Sequence, residues 1–130
     1  MYRWVEHTGE LELSIEAASE VAAFEDALAA LGELLGEDGG GEQASREVSA
    51  SAPDRPTLLA EWLSELAYLA ESEGFVPGRA ARLELGPQAI EATVEGRLST
   101  PPHLVKAVTY HRLSLDVRDG VWRGTVVLDV

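Results

Sequence analysis

Two stretches of helical period set into an otherwise alternating chain constrain the fold more than any other feature. From Val21 onward the apolar residues Val21, Phe24, Leu28, Leu31 and Leu35 recur at spacings of three and four, the signature of a helix that buries one stripe. Ser19 stands before this run as an N-cap, and Glu20, Glu25 and Asp26 place negative charge in its early turns, where the helix dipole favours it. The run stops at the acidic glycine loop Gly36-Glu37-Asp38-Gly39-Gly40-Gly41. The second stretch opens on Asp54 and Pro56, a cap and first-turn pair, and carries Leu59, Trp62, Leu63, Leu66, Leu69 and Ala70 up to Gly74.

Around these helices the period is two, as half-buried strands require. Tyr2 to Glu6 is rich in aromatic and β-branched residues, and Leu11 to Glu16 alternates strictly, with the turn His7-Thr8-Gly9-Glu10 between them. Arg46 to Ala52 alternates weakly, as an edge strand does before Pro53 ends it. Ala81 to Leu85 and Ala89 to Glu95 flank Gly86-Pro87 as one hairpin; after the Pro101-Pro102 break, Val105 to Val117 and Val121 to Val130 flank Asp119-Gly120, a tight-turn dipeptide, as another. Strands, then helices, then antiparallel strands predict an α+β fold, a mostly antiparallel β-sheet with two α-helices packed on one face. Residues 1–130 are expected to form a single domain, since the glycine loop leaves flanks too short to fold separately.

Charge narrows the function. Asp and Glu number 23 against 10 Lys and Arg, a formal charge of −13, which argues against stable, direct nucleic-acid binding. The excess is lopsided: residues 1–75 hold 17 of the acids and only Arg3, Arg46 and Arg55 as bases. Such a surface suits a basic protein partner or divalent cations as well as simple solubility. With no cysteine, thiolate chemistry, disulfides and Cys-ligated zinc are excluded, and a cytoplasmic location is expected. No segment approaches the roughly 20 apolar residues of a membrane helix, and no signal peptide is expected. Dinucleotide, P-loop, zinc-protease and nucleophile-elbow motifs are absent.

The candidate chemistry sits at the chain's end. Asp129 follows the apolar run Val126-Val127-Leu128, and Val130 adds a main-chain carboxylate. Carboxylates held close repel, and a hard cation offsets that repulsion. Glu10 supplies a third oxygen donor if the first and last strands are neighbours. The histidines His7, His103 and His111 are scattered, and Trp4, Trp62 and Trp122 fall in strand or helix patterns that assign them to the core or its rim. Lys106, the single lysine, reads either as a solvent-facing strand residue or as a partner contact.

Four blocks in order bring in a resemblance: Trp4-Val5-Glu6-His7-Thr8, the helix from Leu58 to Tyr68 followed by Glu73-Gly74-Phe75, Val105-Lys106-Ala107-Val108-Thr109-Tyr110-His111, and Trp122-Arg123 with Val127-Leu128-Asp129-Val130. Together they resemble the archease family over nearly the whole chain. The resemblance implies an accessory protein, not itself an enzyme, that activates the GTP-dependent RNA ligase joining 2′,3′-cyclic phosphate or 3′-phosphate ends to 5′-hydroxyl ends in tRNA splicing, promoting guanylylation and repeated turnover. It also implies a divalent cation, usually calcium, held at Glu10, Asp129 and Val130, with Lys106 and His7 on the functional surface. The family's usual His-Thr-Ala-Asp is here His7-Thr8-Gly9-Glu10, so the carboxylate reaches one methylene further. The resemblance also implies chaperone-like action on a tRNA methyltransferase, in line with an acidic surface that can mask a basic RNA-modifying enzyme; an enzyme alternative is a hydrolase using Glu10 and Asp129 with a metal-activated water.

Overall fold

A computed structural model describes residues 1–36, 40–101 and 105–130, so His103 and the glycine loop's Glu37, Asp38 and Gly39 lie outside the described residues. Both helices begin where their caps place them. In α1, Glu20–Leu35, the Ser19 hydroxyl accepts the Ala22 amide at 3.1 Å. In α2, Arg55–Glu73, the Asp54 carboxylate accepts the Thr57 amide at 2.8 Å, which lowers its pKa, and Gly74 closes the helix at φ 68.

The strands are β1 Tyr2–His7, β2 Glu10–Ala17, β3 Glu42–Ser51, β4 Phe75–Leu85, β5 Ala89–Leu98, β6 Ala107–Arg118 and β7 Val121–Asp129. Every pairing is antiparallel. The strands divide between two sheets, ordered β1-β2-β7-β6 and β3-β5-β4, with β3 at an edge as its weak alternation predicts. Each helix bridges both sheets: α1 lies on β2 and β4, and α2 on β6 and β3. The stripes read from the sequence meet there, Phe24, Leu28 and Leu31 of α1 with Leu59, Trp62 and Leu66 of α2, against Leu13 and Ile15 of β2, Ile90 and Val94 of β5, and Val126 and Leu128 of β7. Trp4 and Trp122 pack at the rim of this cluster, and no described polar or charged residue is buried. At Gly32, α1 approaches β4 so closely that a Cβ would run into the Pro77 carbonyl oxygen. No described helix is long and apolar enough to cross a membrane.

At the open side of α1 the Tyr2 hydroxyl donates to the Glu33 carboxylate. Burial first, then that hydrogen bond and the charges of Glu33 and Asp26, push the phenol up from 10 to about 12. A raised folded pKa means stability that is complete below pH 10 and lost as pH rises to 12. Urea midpoints measured across that window are expected to fall, and to fall less in Tyr2→Phe; equal slopes would show that the hydroxyl is not coupled to folding.

Candidate functional site at one end of the four-stranded sheet

The β1–β2 hairpin turns through Thr8 and Gly9, with Gly9 at φ 73, a left-handed conformation that costs glycine little. The tight turn sets the register, so His7 faces Glu10 across the hairpin, Glu10 faces Asp129 across β2 and β7, and Asp129 faces Ala107 across β7 and β6. Directly opposed residues project to the same side of a sheet. Leu13, Ile15 and Ala17 point into the core from β2, so Glu10, two positions on from Glu12, belongs to the outer face. The neighbour that brings Glu10 to Asp129 is β2, not β1: the first and last strands are separated by β2.

The Val130 amide donates to the Gly9 carbonyl at 3.4 Å, which makes Glu10 and Asp129 a non-hydrogen-bonded pair, the closer of the two antiparallel spacings. Neither carboxylate has a hydrogen bond or ion pair among the described residues. Like charges directly opposed destabilise a sheet by up to about 1 kcal/mol. The Lys106 amide donates to the Asp129 carbonyl at 2.8 Å, and its side chain, like His7, is exposed. Glu10, Asp129, Val130, Lys106 and His7 therefore share one end of one sheet.

Among the described residues no three His, Cys, Asp or Glu side chains form a metal cage. The donors that the register brings to this end, two opposed carboxylates and the Val130 main chain, are all oxygens, a chemistry that would suit a hard cation with a loose shell, as calcium has, better than a metal needing nitrogen or sulfur.

One register step inward the β6–β7 pairing becomes irregular. Between the pairs Thr109–Val127 and Ser114–Thr125, β6 advances five positions and β7 two, so the chain bulges outward. The Thr109 hydroxyl pins the bulge, donating to the Val127 carbonyl at 3.0 Å and accepting the His111 amide at 3.3 Å. Arg112 sits there at φ 56, a left-handed conformation that costs a non-glycine residue roughly 1–2 kcal/mol. Its Nε donates to Glu12 Oε1 at 3.1 Å, bridging β6 to β2 over Val127, which is fully buried despite facing outward. His7 Nε2 lies 3.8 Å from the same carboxylate oxygen. Strict alternation places Glu10 and Glu12 on one face, the sequence signal for this cluster; the bulge that delivers Arg112 has no local signature. Tyr110, at the start of the bulge, turns to α2 and donates to Glu61, a hydrogen bond that raises its pKa.

The model of the archease protein family (MTH1598/TM1083) matches residues 2–130. Protein archease of Methanosarcina mazei is 32% identical over 139 residues, covering 99% of this chain and 95% of the relative. That of Methanosarcina acetivorans is 33% identical over 140 residues with the same coverage. Among solved structures, a Methanobacterium thermoautotrophicum protein shares the fold with a TM-score of 0.75 at 23% identity, covering 99% of this chain and 98% of the other. So does a Thermotoga maritima protein described as an archease and possible chaperone, with a TM-score of 0.73 at 20% identity, covering 100% and 98%.

Proposed function

Because the chain belongs to the archease family, we propose that it is an accessory protein that activates an RNA ligase joining 3′-phosphate or 2′,3′-cyclic phosphate ends to 5′-hydroxyl ends in tRNA processing, and that it binds a divalent cation, calcium by preference, at Glu10, Asp129 and Val130. The observation that carries this is the Glu10–Asp129 pair: two opposed carboxylates without a partner among the described residues, beside the exposed Lys106 and His7. A bound cation supplies positive charge that offsets the repulsion between them. Glu10 and Asp129 donate side-chain oxygens, the β2–β7 register sets their separation, and the rest of the shell comes from water or the partner. Lys106 and His7 flank the pair as the contact surface, with Lys106 suited to an anionic group on the ligase.

The protein then contributes no catalytic residue of its own, and the substrate belongs to the ligase. A net charge of −13 supports this division, since it opposes direct RNA binding and favours a protein surface. The absence of cysteine suits a reducing compartment such as the cytoplasm. The description of the Thermotoga maritima relative as a possible chaperone favours a second reading, an adaptor for a tRNA methyltransferase. Purification of the tagged protein from its own cells separates the two. Recovery of the ligase is expected; a methyltransferase recovered without the ligase would overturn the activator role.

A further inference from the structure

The outer face of the four-stranded sheet carries three carboxylates near one end, but only two are unpartnered. Glu12, two residues from Glu10 on the same strand and face, is engaged by Arg112 from β6 and approached by His7 from β1. Two residues of strand span about 7 Å, so the Arg112 guanidinium is held one register step from the Glu10–Asp129 pair. The chain maintains this placement at a cost: three extra residues in β6 and a left-handed backbone at an arginine. Strain of this kind persists where the surroundings impose it and clusters at functional positions. A surface ion pair by itself contributes about 0–1 kcal/mol, no more than the left-handed backbone costs, so stability does not account for the arrangement.

We infer that Arg112 is a charge-tuning residue of the cation site: the β6 bulge carries its guanidinium over β7 onto Glu12, withholding a third carboxylate from the Glu10–Asp129 pair and setting a positive charge beside it. The inference rests on cation binding by that pair. Arg112 then lowers the affinity of the free protein for calcium and leaves room for ligands from a partner. A partner carboxylate that draws Arg112 away from Glu12 would release this brake, coupling cation binding to docking at the same end.

The test is calorimetric titration of the full chain with calcium chloride, with thermal unfolding of each variant as a check on folding. Arg112→Gln is expected to bind calcium about five- to tenfold more tightly, the size of the Coulomb interaction between a divalent ion and a unit charge about 7 Å away in water. Arg112→Lys keeps the charge and is expected to stay within about twofold of the unaltered protein, which a purely structural role for the guanidinium would not produce. Arg112→Gly removes the charge and suits φ 56, so it is expected to tighten binding without a folding defect. If the unaltered protein binds calcium and both Arg112→Gln and Arg112→Gly match it or bind more weakly, charge tuning is overturned while the cation site stands. If none of these proteins binds calcium, both are overturned.

Discussion

Trp62→Ala is expected to lower the free energy of unfolding by about 3–5 kcal/mol, measured by urea denaturation. Trp62 is the largest side chain that is fully buried, on the face of α2 turned towards α1, and its indole Nε1 donates to the Phe24 carbonyl at 3.0 Å. It is the one described side-chain hydrogen bond between the helices made in a fully buried setting, and each helix in turn covers part of both sheets. Truncation opens a cavity where the two helix stripes meet and removes that donor. Domains of this kind are stable by roughly 5–15 kcal/mol, so the loss takes a large share. Trp62→Phe keeps most of the apolar bulk and is expected to cost about 1–2 kcal/mol for the lost hydrogen bond and residual gap. If Trp62→Ala cost less than about 1 kcal/mol, the helix–helix contact would not be central to the core.

If the Glu10–Asp129 pair binds calcium as proposed, calcium is expected to raise the melting temperature and Asp129→Asn to abolish most of that rise. Ligand that binds only the folded state stabilises it by about 2.7 kcal/mol at a hundredfold excess over Kd, several degrees for a domain of this size. Asparagine preserves shape and strand register but removes the charge that, in the proposed site, attracts the ion together with Glu10. Without calcium the same variant is expected to be as stable as the unaltered protein or slightly more so, because the opposed like charges are gone. An unchanged calcium response in Asp129→Asn would remove Asp129 from the donor set.

The helices were legible because their boundaries are local. Ser19, Asp54 with Pro56, and Gly74 each state a cap, and the helices begin and end at them. Asp119 and Gly120, both at positive φ, form the tight turn that the dipeptide predicts. The start of β4 was not legible: Pro77 and Gly78 interrupt the alternation, and the strand accommodates them with a register shift at its place on the sheet edge. Division into two sheets was hidden too, since periodicity shows which face of a strand is buried but not which strand lies beside it. The same limit applied to the site. Glu10 and Asp129 stand out as acids at strand ends, yet it is β2, not β1, that carries one to the other. Glu12 reads as an ordinary solvent-facing residue until a bulge one hundred residues later lays Arg112 across it.

The most direct measurement is RNA ligation by the ligase of the same organism with GTP, divalent metal and RNA in excess, counting joined ends per ligase molecule. Adding this protein is expected to carry the ligase through many turnovers where it otherwise stalls, and Asp129→Asn is expected to lose most of that effect. An unchanged count with the protein present would contradict the activator role, and full stimulation by Asp129→Asn would detach that role from the Glu10–Asp129 end of the sheet.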